Sequence, residues 1–303
     1  MQRRPARALL PLLLLALGAC TSAAGRAEDE VRPGDVRLDG RLVARAMTAY
    51  EPARAEETCK VFHMVWSPDG RLLTKAQGGD YPHHRGLFLG WNRVRLAADE
   101  KAPVWDFWHC RKGETLRLVR WVPATEHGKG PEWQVAEIAW RDGAGRHLVT
   151  EVRGLRARKV DATTTALDLD VELRATTDEV LLDGDPHHAG VQFRALQRFA
   201  EKDQPKVSYL RPEGATDEGN DIWTHADWTA AVLPLEGGPV TVVHVDHPTN
   251  PRPNRYSSRP YGRFGSTFTA RVHPQQPLQL RYTLVLAGAD VDPAAAAASA
   301  LHR

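Results

Sequence analysis

A chain of 303 residues, 42% hydrophobic and with 40 Lys and Arg against 38 Asp and Glu, has no dominant charge and, past its first residues, no basic run. That balance excludes the electrostatic footprint of a nucleic-acid binder. The length suits one large all-β domain or two fused sandwiches, and a core of that size folds without a metal or disulfide.

The chain opens on a basic stretch, Met1 to Arg7, followed by an apolar run from Ala8 to Leu17 that is too short to span a bilayer as a helix. It reads as a secretory signal. Its end, Leu17-Gly18-Ala19-Cys20, resembles the bacterial lipobox, in which the cysteine is lipidated; ordinary cleavage with Cys20 incidental is the other reading. Ser22 points towards the outer membrane. The expected organisation is a signal peptide over 1–19, a lipidated tether over 20–33, a folded domain over 34–292 and a tail over 293–303. Loss of the signal removes three arginines and no acid, leaving 37 basic against 38 acidic side chains and a formal charge of −1. The implied location is the cell envelope, on the periplasmic face or outer membrane, with the bilayer contacted through the lipid alone. Cys59 and Cys110 remain in a compartment that permits disulfides, either as a pair or as two buried thiols.

Past the tether, Val36–Leu38 and Leu42–Ala46 read as strands joined at Asp39-Gly40, a type I′ hairpin signal. Lys60–Trp66 and Arg71–Thr74 follow across the Ser67–Gly70 turn. Long β-rich runs cover Glu114–Val122, Glu132–Trp140 and His147–Leu155, and Ala166–Leu173 alternates as a strand with one wet and one dry face must. Val240–Val245, Ser266–His273 and Leu278–Ala287 repeat the habit, before an alanine-rich tail that is a terminal helix or frayed. Between Gln204 and Trp228 the chain is polar and turn-rich, as a long excursion over one rim would be. Strand after strand without helices predicts an antiparallel β-sandwich.

Chemistry gathers at three places. Asp80-Tyr81-Pro82-His83-His84-Arg85-Gly86-Leu87 puts two imidazoles and a guanidinium before a strand-like run, and Asp185-Pro186-His187-His188-Ala189-Gly190 repeats its core before Val191–Arg194. Proline holds its predecessor extended and glycine permits a turn, so each copy reads as a loop-to-strand junction. The third place, His244 to Gly265, is too proline-rich for a central strand yet dense in imidazole, amide and guanidinium groups. The indoles of Trp105 and Trp108 fit core packing or a rim.

Pro82 to Leu87, together with His247-Pro248, Asn250-Pro251-Arg252 and Arg259-Pro260-Tyr261-Gly262 with Phe264, resembles the bacterial proteins labelled "methane oxygenase PmoA-like". Tyr81 stands where that family usually carries a histidine. The resemblance covers most of the mature chain. It implies a secreted β-sandwich similar to the mutarotase-like supersandwich, in company with sugar-degrading functions. Membrane-bound methane oxidation is not implied, because the chain lacks transmembrane segments.

From these residues the candidate acid–base groups are His83, His84, His187, His188 and His247, since imidazole titrates near neutrality. Alternation along a strand predicts that one ring of each doublet enters a cleft and its partner serves the core. Arg85, Trp108, His109, Gln192, Arg194, Asn250, Arg252, Arg259 and Tyr261 are the candidate ligand-binding set: forked donors for oxygens and apolar faces for a sugar ring. The first reading is a protein acting on a small-molecule or oligosaccharide carbohydrate by isomerase, epimerase or lyase chemistry, needing no cofactor. The second is a divalent-metal site of His83, Asp185, His187 and His247. The third is a binding protein that uses the same cleft without turnover. In the plainest reading each Pro-His-His-x-Gly is a structural corner.

Overall fold

The computed structural model describes residues 30–99, 101–288 and 290–301. The expected signal peptide, Cys20 and most of the expected tether lie outside the described residues, and the folded body begins at Pro33.

Two large antiparallel sheets form the sandwich. The first has nine strands, in the order Asp35–Leu38, Arg41–Met47, Phe62–Val65, Gly86–Trp91, Ala189–Arg194, Arg263–Thr267, Arg255–Arg259, Ile222–Thr224 and Thr216–Gly219. The second has eight: Ser208–Leu210, Trp228–Leu233, Val240–Asp246, Leu278–Gly288, Thr165–Ala175, His147–Lys159, Gln134–Arg141 and Thr115–Val122. A three-stranded sheet joins Ala270–Val272, Val180–Leu182 and Val94–Leu96. The main core draws on both large sheets, with Leu87, Leu89, Trp91, Val191 and Phe193 meeting Trp140, Leu155, Leu169, Leu284 and Leu286. Burial on this scale, at about 25 cal/mol per Å² of apolar surface, is what holds the sandwich together.

Asp39 and Gly40 both have positive φ, as the expected I′ hairpin requires. Three expectations are corrected. Arg71–Thr74 makes isolated bridges, Trp66 with Leu72 and Thr74 with Ala195, instead of a strand. The run from Ser266 breaks near Phe268, so Arg263–Thr267 belongs to the nine-stranded sheet and Ala270–Val272 to the small one. The polar excursion contains a hairpin, Thr216–Gly219 with Ile222–Thr224, that extends the nine-stranded sheet; Asn220 and Asp221 turn it with φ of 53° and 59°. The tail is a helix, Pro293–Leu301, whose Ala297 and Ala300 pack on Ala230, Val243, Val245 and Val285.

Cys59 and Cys110 are free, buried thiols. Cys59 is pulled down to about 6 by the Cys110 thiol and, against burial, by the charges of Lys60 and Arg85. Burial pushes Cys110 well up.

Candidate functional site

The central strands of the nine-stranded sheet alternate strictly, and their two faces differ in kind. Leu87, Leu89, Val191, Phe193 and Phe264 point into the sandwich core. The intervening positions, Gly86, Phe88, Gly90, Gln192, Arg194, Arg263, Ser257 and Arg259, therefore share the opposite face. Register confirms the grouping: Arg194 pairs with both Gly86 and Arg263, and Arg263 also pairs with Arg259. A single row of guanidinium, amide and glycine positions thus crosses the middle of the sheet.

Loops close over that face. The turn at Tyr81 to His84 is held by the His84 N–H donating to the Tyr81 carbonyl at 2.9 Å, with Tyr81 in the left-handed region at φ 54°. The segment Trp105–Cys110 passes directly over Gly90, where a Cβ would sit 2.5 Å from the Phe107 carbonyl oxygen. Only glycine lets the loop lie so close. The second doublet enters through a turn in which the Asp185 carboxylate accepts the His187 N–H at 3.0 Å, and Gly190, φ 86°, then approaches the backbone of Ser266.

These loops bring five imidazoles together in sequence. His84 and His83 have ring centroids 4.2 Å apart, His83 and His109 4.6 Å, His109 and His188 5.1 Å, and His188 and His187 6.4 Å. Trp108 stands edge-on to both His84 and His188, at 5.5 and 5.8 Å. Tyr81 stacks on Tyr261 at 4.9 Å, and the Arg194 guanidinium lies 4.8 Å from the Tyr261 ring centre. The expectation of one ring inward and one outward in each doublet is corrected: both rings of each join the cluster. Alternation does not apply because both doublets precede their strands, which start at Gly86 and Ala189.

Within the cluster the histidines are not equivalent. His109 Nδ1 lies 2.7 Å from Asp106, and His188 Nδ1 lies 2.9 Å from Asp185. A carboxylate at Nδ1 fixes the proton there and leaves Nε2 as the basic nitrogen. The carboxylates are themselves anchored. Asp106 accepts the backbone N–H groups of Trp108 and His109, and Asp185 accepts the Asn92 amide at 2.6 Å. Burial raises both acids, but the histidine contacts outweigh it and hold each below the usual carboxylate range.

His83, His84 and His187 are kept neutral instead. Burial pushes His83 down to about 2, with Lys60 next in effect; it pushes His84 well down, helped by His83 and Arg263. His187 falls to about 4 through burial and the charges of Arg259 and Arg263. The Arg263 guanidinium donates to His187 Nδ1 at 3.3 Å, and Asn220 meets Nε2 at 3.0 Å. Arginine can only donate, so Nδ1 accepts and Nε2 carries the proton; Asn220 Nδ2 stands opposite Nε2, and the amide meets that proton only when turned so that its oxygen faces the ring. His187 is therefore locked between two partners. Both ring nitrogens of His84, Nδ1 of His83 and the Trp108 indole N–H are buried and have no hydrogen-bond partner among the described residues. Unmet polar atoms converging on one place mark a binding surface better than a packing corner.

The predicted residues divide accordingly. His83, His84, His109, His187, His188, Trp108, Gln192, Arg194, Arg259 and Tyr261 lie on or around the cluster, Arg259 through its bond to the Asn220 carbonyl at 2.9 Å. Arg85 is corrected to a structural role: fully buried, it donates to the carbonyls of Glu56 and Pro82 and to Cys59 Sγ, so it braces the loop from beneath. His247, Asn250 and Arg252 are also corrected. His247 bonds Thr249, Asn250 ties Asp246 to the Arg281 backbone, and Arg252 pairs with Asp227 and Asp246. Arg252 faces a separate cleft of about 620 Å³ beside Glu218, His225 and Arg255. The set His83, Asp185, His187 and His247 is accordingly not assembled, and among the described residues no group of three His, Cys, Asp or Glu side chains is placed to hold a metal ion.

Lys60, Arg263, Asp106 and Asn220 belong to the site but do not stand out in the sequence. Arg263 was legible in one respect, since it follows Arg259 by four residues around the Pro260–Gly262 turn, which pairs the two across a hairpin.

A family described only as of unknown function, DUF6807, matches residues 34–301. No curated protein matches the chain. Among solved structures, a GH36 alpha-galactosidase AgaA variant from Geobacillus stearothermophilus, in complex with stachyose, aligns with a TM-score of 0.34 and 13% identity over 72% of this chain and 32% of its own. The heparinase III BT4657 gene product, with methylated lysines, aligns with a TM-score of 0.23 and 12% identity over 82% of this chain and 35% of its own. The chain thus spans about a third of the length of each.

Proposed function

Since the chain belongs to the DUF6807 family of unknown function, its chemistry has to be argued from its own residues, and we propose that it is a carbohydrate-acting acid–base protein of the cell envelope. The observation that carries this reading is the pair of Asp–His dyads, Asp106–His109 and Asp185–His188, with ring centroids 5.1 Å apart. Each dyad presents a basic Nε2 beside partly exposed surface, with 14% of the His109 side chain and 36% of the His188 side chain accessible. Two such nitrogens on one wall suit proton transfers at neighbouring atoms on one face of a substrate. One imidazole, entering neutral, takes a proton from carbon at Nε2; the other, entering as imidazolium, delivers its Nε2 proton to the adjacent oxygen. That pattern describes an aldose–ketose type isomerisation or a same-face β-elimination. Two-base epimerisation fits less well, because it needs its bases on opposite faces. Buried donors nearby, the indole of Trp108 and the guanidinium of Arg263, suit the hydroxyl and oxyanion groups of such a substrate.

The test is incubation in D₂O with a panel of neutral and acidic mono- and disaccharides, followed by mass spectrometry. The wild-type protein incorporates carbon-bound deuterium or forms an unsaturated product; His188→Gln lowers the rate by about 100-fold or more, while His247→Gln leaves it unchanged. Full turnover in both His188→Gln and His109→Gln, or no conversion of any sugar in the panel, counts against the reading.

A further inference from the structure

On the face beneath the imidazoles Arg259 pairs with Asp221 at 3.3 Å, whereas Arg263 and Arg194 have no acidic side chain as partner among the described residues. Arg263 is 1% exposed, and its partners are the Gln192 amide oxygen at 3.1 Å, the Ser257 hydroxyl at 2.6 Å and His187 at 3.3 Å, all neutral. Arg194 is fully buried, and it donates to the carbonyls of Ala195, Leu196 and Tyr261 and to the Gln197 amide oxygen, again all neutral. Among the described residues the Nε–H of each makes no hydrogen bond, and the Tyr261 side chain is a further neutral neighbour of Arg263. Lys60 and Arg85 differ, because the Cys59 thiol lies against them and Arg85 donates to its sulfur at 3.4 Å. Buried charges are ordinarily paired, since taking an ion out of water costs several kcal/mol and an anion nearby is what recovers it. Asp106 and Asp185 are both committed to histidines.

We propose that the ligand of this face carries a carboxylate, as a uronic-acid-type sugar does, and that it seats beside Arg263 with Arg194 behind. This rests on the acid–base reading and narrows its substrate class. The two fit chemically. A carboxylate lying against a guanidinium makes the C–H bond next to it easier to ionise: the base takes that proton, the electron pair passes onto the carboxylate as an enediolate, and no oxidant or reductant is needed. Loss of the oxygen substituent on the next carbon, protonated by the second imidazole, then completes an elimination. Burial is the main reason that His83, His84 and His187 stay neutral, and the charges of Lys60 and Arg111 for His83, of Arg263, Lys60 and Arg194 for His84, and of Arg259 and Arg263 for His187 add to it.

Calorimetric binding of D-galacturonate and D-glucuronate, against D-galactose and D-glucose, tests this on the wild-type protein at low and high salt. The uronates are expected to bind about tenfold or more tightly than the neutral sugars, with affinity falling as salt rises. In parallel, NMR titration of His187 is expected to show its protonation moving to higher pH when a uronate is bound, because a bound anion offsets the arginines. Arg263→Gln removes the preference for uronates, with circular dichroism checking the fold. Neutral sugars binding as tightly as the uronates, affinity indifferent to salt, or an unmoved His187 overturns the proposal. The two readings fail separately: uronate binding without proton exchange removes the acid–base chemistry and keeps the anion site, whereas turnover of neutral sugars alone does the reverse.

Discussion

At the scale of single residues, what separates the histidines is the partner at each Nδ1. Asp185 and Asp106 give His188 and His109 a fixed tautomer, while Arg263 gives His187 the opposite one. Asp185→Asn keeps a hydrogen-bonding group in place but removes the charge that steadies an imidazolium. The expected result is a loss of about 100-fold in the rate of proton exchange with little change in thermal stability, read by mass spectrometry and calorimetry together. Arg85→Ala has the reverse signature. It orphans the Glu56 and Pro82 carbonyls, so stability falls by about 2–4 kcal/mol in chemical denaturation. The two His-His doublets were visible in the sequence because imidazole next to Pro and Gly is rarely accidental chemistry. Arg263 and Lys60 were not, because a buried cation looks like any surface one until its neighbours are known. His247, Asn250 and Arg252 misled for a related reason. Their residue types suit a ligand, yet Asn250 and Arg252 serve the protein's own buried carboxylate, Asp246, and His247 bonds the neighbouring Thr249.

The strands supply the order at the next scale. Period-two alternation was readable in the hydrophobic pattern, and it correctly made Ala166–Leu173 a strand with Leu167, Leu169, Val171 and Leu173 in the core, although Asp168 on its expected wet face is buried. What it could not reveal was the other face of the central strands, where glycines make room for the Trp105–Cys110 loop. Gly90→Ala would press a Cβ against the Phe107 carbonyl, and because backbone is the obstacle the loop has to shift. The expected cost is about 1–3 kcal/mol, with a weakened proton-transfer rate because His109 rides on that loop. A Gly90→Ala protein with unchanged melting temperature and full turnover would mean that the loop does not press on the sheet at this point. The hairpin at Thr216–Thr224 escaped sequence reading because polar side chains dominate it, and its turn shows in the positive φ of Gly219, Asn220 and Asp221.

For the whole molecule, the buried histidines set a pH dependence. Burial lowers His63 to about 3, His83 to about 2 and His187 and His244 to about 4, against 6.5 for the free side chain. Above 6.5 both folded and unfolded chains hold these rings neutral. Below it the unfolded chain takes up protons that the folded one refuses, so stability falls, at up to about 1.4 kcal/mol per pH unit for each such ring, until the folded values are reached. Lys60 and Lys75, lowered by burial to about 8, act at the other end: from about 8 to 10.5 the folded chain loses protons first and stability rises. Denaturation midpoints measured across this range should show both slopes. A flat profile between 6.5 and 4 would contradict the burial of the imidazoles. The antiparallel sandwich itself was legible because so little of the chain has helical period. The assembly of one site from the Tyr81, Trp105, Asp185 and Arg259 segments was not, since sheet order, with Gly86–Trp91 beside Ala189–Arg194, is a long-range fact.

The most direct measurement is the side-chain nitrogen NMR spectrum of the histidines at neutral pH, which reports which nitrogen of each ring carries a proton. Two carboxylate-bound rings, His109 and His188, should appear with Nδ1 protonated, and His187 with Nε2 protonated and Nδ1 bare. If His109 and His188 show an unprotonated Nδ1, neither acid sits behind its imidazole in solution, and the proton-transfer pair does not exist.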